Sequence, residues 1–309
     1  MKLLPERGYQ GRIRIYFSEM FPIPKMFIGA ALLYLSFSLF LARIHGTVVD
    51  IISVTNLIGS LSLFMIMLIL RLMDEIKDRE TDLQLFSHRP LPSGRVREKD
   101  ITFSLKVVII LYITVNLFSP WTLWMALAVL AYTFLMFRYF FIPRMLKKHL
   151  LLTLATHNPI VPIMLTYVLV LFTAEHGMGP EDLSFSHVCL LVVMYWAMFF
   201  AWEISRKIRS AEKEDDYITY SRIFGPFGAV SLALGAQTVT LAAALVFYSA
   251  IPMPILFLLI VWAGYLITIS GYLRFIARPN HKTSNLGPFA EKYIIMVNAA
   301  FIASHALTI

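Results

Sequence analysis

Long apolar runs alternate with short polar breaks along almost the whole chain of 309 residues. A membrane-spanning helix needs about 20 consecutive apolar residues, and nine runs come close to that length. They are 26–44, 51–72, 101–118, 121–142, 149–173, 186–205, 224–248, 252–275 and 288–308. Prolines and glycines mark most of the breaks between them. The pattern predicts an all-α integral membrane protein, built as a bundle of nine transmembrane helices.

The composition agrees with a membrane protein and excludes an ordinary soluble domain. Hydrophobic residues make up 58% of the chain and charged residues only 15%, whereas soluble domains are about 25% charged. Cys189 is the single cysteine, so no disulfide can form within the chain. A net charge of +8 could indicate nucleic-acid binding, but its distribution is better explained by membrane topology, so we expect no nucleic-acid partner.

The positive charges lie on one side of the predicted bundle. With nine spans, the N-terminal segment and the loops after the even-numbered helices share a side. Together with the adjoining helix ends they hold 26 of the 27 Lys and Arg residues, all but Arg43. The positive-inside rule makes this side cytoplasmic. We therefore expect a cytoplasmic N-terminus and a C-terminus on the opposite side, in a multi-pass protein of a bacterial cell membrane. Residues 1–25 would form a basic interfacial segment, and 26–309 a single membrane domain.

A dense acidic segment, DEIKDRETD, follows the second apolar run at 74–82. If the helix continues, Asp74, Asp78 and Asp82 recur every four residues and fall on one face. Like charges at that spacing repel by a few tenths of a kcal/mol per pair, roughly, so a cation between the carboxylates would stabilise them. Oxygen ligands and a phosphate-bearing substrate are typical of Mg²⁺ sites. The segment, with Glu75 included, predicts a site for magnesium and diphosphate at the membrane edge.

Basic residues and a second acidic cluster extend this prediction. Arg89 follows the first cluster and is a candidate phosphate partner. The second acidic cluster lies at 203–216, and it contains Glu203 and Glu212 together with the basic residues Arg206 and Lys207. The active-site loops are therefore predicted at about 73–100 and 203–223, both cytoplasmic. Lys147, at the start of the fifth run, is a candidate phosphate contact. Asn158, beside Pro159 inside that run, is either a cavity residue or a partner of the helix kink, because polar groups in membrane helices are often functional.

The combination of acidic and basic residues in these clusters is suited to the cleavage of an allylic diphosphate. Breaking the C–O bond develops negative charge on the diphosphate, which Mg²⁺ and Arg or Lys stabilise. The carbocation needs a dry cavity with aromatic rings, whose faces attract cations. Candidate lining residues on the fourth and sixth runs, which are also ordinary packing residues in membrane helices, are Phe134, Tyr139, Phe140, Tyr195, Trp196, Phe199, Phe200 and Trp202.

These residues resemble the UbiA superfamily of intramembrane prenyltransferases. That family has nine transmembrane helices and a motif N-D-x-x-D-x-x-x-D after the second, often followed by a segment such as R-P-L-x-S-G. Here Asp78 and Asp82 match in place, Asp74 and Glu75 stand for Asn and Asp, and Arg89-Pro90-Leu91-Pro92-Ser93-Gly94 follows. In the family's second motif, D-x-x-x-D, Glu203 matches the first acid and Lys207 replaces the second.

The resemblance implies Mg-dependent transfer of an isoprenyl group from a prenyl diphosphate to an aromatic or other lipophilic acceptor in the membrane. The implied metal ligands are Asp74, Glu75, Asp78, Asp82, Glu203 and Glu212, and the implied substrate contacts are Arg89, Lys147, Asn158, Arg206 and Lys207. A terpene cyclase, which ionises the diphosphate without a separate acceptor, is the alternative. A transporter is disfavoured because its ionisable residues would lie near the bilayer midplane, whereas these acids gather at one face.

Overall fold

The computed structural model describes residues 8–214 and 218–306. Among these residues the regular secondary structure is helical, and no strand is present. It divides into two compact units, the first made of residues up to 34 together with 52–143, and the second of 35–51 together with 144–306. Lys2, Arg7, Asp215 and Asp216, which belong to the predicted basic segment and second acidic loop, lie outside the described residues.

The first unit contains six helices, and one of them, α2, continues into the second unit. They are α1 Tyr9–Met20, α2 Ile23–His45, α3 Val54–Lys77, α4 Arg79–Leu85, α5 Glu98–Val115 and α6 Pro120–Phe137. Local capping fixes several of the starts. The Ser53 hydroxyl accepts the Asn56 N–H at 3.0 Å, and Pro120 occupies the first turn of α6, where its missing N–H costs nothing.

The core of the first unit forms where α3 packs against α5 and α6. Apolar residues on one face of α3, among them Leu63, Ile66 and Ile69, are almost fully buried. Gly59 allows a close approach on this helix, because a Cβ there would lie 2.0 Å from the ring of Tyr34. Any larger residue at 59 would displace that buried tyrosine.

The second unit contains seven further helices. They are α7 Pro143–Leu146, whose first residue belongs to the first unit, α8 Leu150–His157, α9 Ile160–His176, α10 Phe185–Ser205, α11 Tyr220–Ala250, α12 Ile255–Ala277 and α13 Gly287–Ala306. The helices α10 to α13 pack together, and Phe40 from the C-terminal part of α2 stacks on Phe301 with ring centroids 4.1 Å apart. Gly225, with φ of 71°, and Pro226 interrupt the first part of α11.

Every predicted apolar run corresponds to a helix or a broken pair of helices within the described residues. Seven segments are long and apolar enough to cross a membrane, with α8 and α9 counted as one; α5 and α13 fall outside this set. The full count of nine spans, the orientation of the termini and the single domain over 26–309 stay predictions. The helix ends differ from the ends of the runs by up to five residues: the fourth run extends to 142 but α6 ends at Phe137, and the second run stops at 72 but α3 ends at Lys77.

Candidate functional site

The acidic segment does not form one continuous helix. The helix α3 ends at Lys77, Asp78 takes φ −98° and ψ 10°, and α4 begins at Arg79. Backbone hydrogen bonds still link Asp78 to Asp74 and Asp82 to Asp78, each at 2.9 Å. The expected ladder of three aspartates on one regular helix face is therefore interrupted at its middle member. Each of the three carboxylates instead has a different partner.

Asp82 is buried and is held by Arg89. One guanidinium nitrogen of Arg89 donates to both carboxylate oxygens at 2.9 Å, and the guanidinium carbon lies 3.9 Å from the centroid of the Phe86 ring. After Arg89 the chain continues through the Pro-rich stretch, where Gly94 has φ of 76°. The sequence predicts Arg89 as a phosphate partner; here it pairs with Asp82, and contact with phosphate stays a prediction.

Asp78 is held by an aromatic residue from beyond α6. The Tyr139 hydroxyl donates to Oδ1 of Asp78 at 2.7 Å, and the Lys77 ammonium lies 5.0 Å from the centroid of the same ring. Burial raises the pKa of the Asp78 carboxyl above its usual range, since the loss of water outweighs the attraction of the Lys77 charge. Asp74, about half exposed, pairs with Lys77 at 2.8 Å.

The side chain of Glu75 is almost fully buried. Its carboxylate pairs with Arg71, one turn earlier, while its second oxygen, Oε2, is buried and has no hydrogen-bond partner among the residues that the structure describes. The fully buried Tyr16 of α1 is close enough for its hydroxyl to interact with both charges. Buried polar atoms without partners are uncommon and call for an explanation. A bound cation would supply one for the Glu75 oxygen.

These observations bear on whether the segment suits Mg²⁺. Carboxylate oxygens are the ligands that Mg²⁺ takes in proteins. The buried Oε2 of Glu75 has no hydrogen-bond partner among the described residues, and burial desolvates the Asp78 carboxylate. Across the described part of the chain, however, no three acidic, histidine or cysteine side chains lie close enough together to hold a metal ion. The donors therefore fit magnesium in chemical type, and the metal itself stays a prediction.

The N-terminal helix braces the loop that carries Arg89. Arg12 makes two hydrogen bonds to the buried Asp100, at 2.6 and 2.7 Å, and Asp100 also accepts the backbone N–H of Arg97 at the start of α5. Glu19 accepts two hydrogen bonds from Arg95, at 2.5 and 2.9 Å, while Arg95 donates to the carbonyl of His88 at 2.8 Å. The loop between α4 and α5 is thereby tied to α1.

The second predicted loop forms its own charged group at the end of α10. Arg206 Nε donates to one oxygen of Glu203 at 2.6 Å, and the Lys207 ammonium lies 2.9 Å from the other. Lys207, which replaces an expected acid, is thus the direct partner of the acid that remains. The guanidinium of Arg206 also lies 5.0 Å from the Trp202 ring. Glu212 accepts the backbone N–H of His281 at 3.0 Å.

The two candidates on the fifth run have different surroundings. Lys147 is exposed between α7 and α8. Asn158 is buried at the break between α8 and α9, and its side-chain oxygen accepts the indole N–H of Trp196. This contact favours the interpretation that Asn158 stabilises the break in the helix, and substrate contact at Asn158 stays a prediction.

Sequence reasoning missed two contacts around the acidic segment. Tyr139 appeared only as one aromatic among eight, and its contact with Asp78 was not predicted. The contact of Arg95 with Glu19 was not predicted either, because the two residues are 76 positions apart in sequence.

Comparison with solved structures identifies the fold. The chain superimposes on a digeranylgeranylglyceryl phosphate synthase with a TM-score of 0.64 and 18% identity, covering 95% of this chain and 98% of that one. A UbiA homolog from Aeropyrum pernix K1 gives the same TM-score with 14% identity, over 88% of this chain and 97% of that one. No protein-family model and no curated protein matches the sequence.

Together these findings define an all-helical, multi-pass integral membrane protein. Its fold is similar to those of the two solved structures, one of which is a UbiA homolog, in agreement with the resemblance of the acidic motif. At identities this low the likeness establishes the fold, and the activity must be argued from the residues of this chain.

Proposed function

We propose that the protein transfers an isoprenyl group from a prenyl diphosphate to a lipophilic acceptor within the membrane. The observation that carries the proposal is the acidic segment at the end of α3, where Arg89 holds Asp82 and Tyr139 holds Asp78. Carboxylates for a metal and a guanidinium for phosphate thus lie together at the end of a candidate span. The structural neighbour named as a lipid synthase supports a reaction of this class.

Asp74, Glu75, Asp78 and Asp82 would hold the Mg²⁺ of this reaction. The bound ion would neutralise charge on the diphosphate oxygens as the leaving group forms. In the proposal, Tyr139 keeps the Asp78 carboxylate in one orientation and Arg71 does the same for Glu75. Such positioning of ligands by neighbouring hydrogen bonds commonly strengthens metal binding.

Arg89 is the best candidate for direct contact with the diphosphate. Its planar guanidinium offers several N–H donors in a geometry that matches carboxylate and phosphate oxygens. In the structure this guanidinium donates to the Asp82 carboxylate. Arg206 and Lys207, paired with Glu203, are further candidates from the second loop, as is the exposed Lys147. In the reaction the allylic C–O bond breaks with its electron pair on the diphosphate, and the acceptor attacks the carbocation and loses a proton.

The proposal predicts release of inorganic diphosphate that depends on the acidic segment. We would follow diphosphate release from a prenyl diphosphate with purified protein, Mg²⁺ and a membrane lipid extract as the source of acceptor. Asp82→Asn should lower the rate by about 100-fold or more, the usual effect of removing a charge-stabilising group. Glu80→Gln is the matched control, because Glu80 is an exposed acid in the same segment. Equal rates in Asp82→Asn and Glu80→Gln would refute the assignment.

A further inference from the structure

The helix α5 has one covered face and one open face. Its covered residues are Asp100, Ile101, Ser104, Leu105 and Tyr112. On the open face, Phe103, Val107 and Ile110 are 55%, 38% and 63% exposed, and Lys99 and Lys106 are exposed as well. These positions recur at intervals of three and four and form one stripe along the helix. Since α5 packs along the candidate span α3, this stripe faces the surroundings of the protein at the membrane.

A shallow, open cleft lies on the first half of this stripe. All of its lining residues belong to α5, and they are Glu98, Lys99, Thr102, Phe103 and Lys106. The helix α1 lies beside it, because Tyr9 makes an edge contact with the Phe103 ring at 5.3 Å and its hydroxyl bonds to Ser104 at 2.8 Å. The cleft therefore combines a polar end with an aromatic wall.

The cleft carries an excess of positive charge. The Glu98 carboxylate is neutralised by Arg79 at 2.5 Å, so the two lysines set the sign of the potential. Lys99 and Lys106 are seven residues apart, or about 10 Å along the helix, with Phe103 between them. A single anionic group can be reached by both flexible ammonium groups.

The apolar part of the stripe determines which anion fits. Beyond Lys106 the stripe continues as Val107 and Ile110, both exposed. A lysine on a lipid-facing stripe is costly unless its charge is hydrated or paired. An amphipathic molecule with an anionic head and acyl chains would pair with the lysines and cover the apolar residues together, whereas a small free anion would leave those residues uncovered.

We infer that the start of α5 binds the head group of an anionic phospholipid, with its acyl chains along Val107 and Ile110. The two lysines lie outside the acidic segment, and the inference stands whether or not the protein transfers prenyl groups. Basic pockets on membrane proteins bind such head groups, and each Lys near the membrane surface contributes about 1 kcal/mol.

The test uses the purified full-length protein and short-chain lipids. Affinities for dihexanoyl phosphatidylglycerol and dihexanoyl phosphatidylcholine are measured for the wild type and for Lys99→Gln/Lys106→Gln. We expect the wild type to prefer the anionic lipid and the double variant to bind it about 30-fold more weakly, or roughly fivefold per lysine. The double variant Lys282→Gln/Lys292→Gln is the matched control, because it removes the same amount of charge at another place. Through surface electrostatics alone it should change the affinity by less than about twofold.

A second variant separates the head-group site from a general charge effect. Phe103→Glu keeps both lysines but places an acid in the cleft, and it should also weaken binding of the anionic lipid. Equal affinity for the two lipids, or unchanged affinity in Lys99→Gln/Lys106→Gln, would overturn the inference. Competition by inorganic phosphate as effective as that of phosphatidylglycerol would overturn it too, since it would indicate a site for free phosphate.

Discussion

The hydroxyl of Tyr139 donates a hydrogen bond to Oδ1 of Asp78 at 2.7 Å. The residues Tyr139, Phe140 and Phe141 all have left-handed backbones, with φ of 49°, 49° and 60°. Such a conformation costs roughly 1–2 kcal/mol for each L-residue, and strained backbone of this kind is often found at functional sites. The contact with Asp78 gives this strained turn a role, because it places a hydrogen-bond donor on the central aspartate of the motif.

Removing that donor should weaken metal-dependent activity. Tyr139→Phe keeps the ring beside Lys77 and loses only the hydroxyl. A hydrogen bond to a charged group contributes about 1.5–3 kcal/mol, so we expect about a tenfold or greater rise in the Mg²⁺ concentration for half-maximal activity. Tyr248→Phe, which removes a hydroxyl from α11, is the control. An unchanged Mg²⁺ dependence in Tyr139→Phe would argue against a positioning role.

Substrate binding should weaken even when Arg89 is replaced by a residue of the same charge. Lysine cannot reproduce the planar set of donors that Arg89 presents to the Asp82 carboxylate. We expect Arg89→Lys to raise the KM for prenyl diphosphate by about tenfold, equivalent to about 1.4 kcal/mol, with a smaller change in kcat. Arg79→Lys is the matched control, because Arg79 makes an exposed ion pair with Glu98. Similar kinetics for the two variants would contradict the assignment.

The ion pair of Glu19 and Arg95 should restrain the loop between α4 and α5. Glu19→Gln is expected to speed hydrogen exchange of the loop amides, measured by mass spectrometry, because Arg95 also donates to the carbonyl of His88. Reversing both charges, with Glu19→Arg and Arg95→Glu, should restore part of the protection. If the double reversal exchanges faster than Glu19→Gln, the pair does not act through its charge.

The same contact should depend on pH in a defined direction. The hydrogen bonds from Arg95 lower the pKa of Glu19 below its usual range. Stabilisation by a carboxylate with a lowered pKa is complete above the pKa of the unfolded chain, and it is lost as the pH falls through the folded value. Loop protection should therefore be constant near neutral pH and decline in acid, once exchange rates are corrected for pH. Glu19→Gln should show no such decline.

Substitutions can show whether Asn158 has a structural role or contacts the substrate. Its amide oxygen accepts the indole N–H of Trp196, so Trp196→Phe should leave a buried acceptor without a partner. We expect Trp196→Phe and Asn158→Ala each to lower the free energy of unfolding by about 1–3 kcal/mol. If Asn158 only supports the helix break, the KM for prenyl diphosphate should stay within a factor of two, roughly, of the wild type in both variants. A larger rise in Asn158→Ala alone would establish substrate contact.

Much of the helical framework could be predicted because a span of about 20 apolar residues is a local signal. The nearness of Arg89 to the acidic segment was also predictable, because it follows Asp82 by only seven residues. The break at Asp78 and the strained turn at Tyr139 were not, because they depend on a contact between residues 61 positions apart. The pairing of Glu203 with Lys207 was not predicted for another reason: Glu203 had been assigned to a metal ion and Lys207 to the substrate.

The central claim is prenyl transfer from a diphosphate in the membrane, and product analysis tests it most directly. Purified protein would be incubated with a panel of prenyl diphosphates and Mg²⁺, with and without a membrane lipid extract, and the products identified by mass spectrometry. The account predicts a prenylated lipid that forms only with the extract and is absent in Asp78→Ala. A terpene hydrocarbon or alcohol formed without acceptor would identify a cyclase instead. No diphosphate release under any condition would contradict the account.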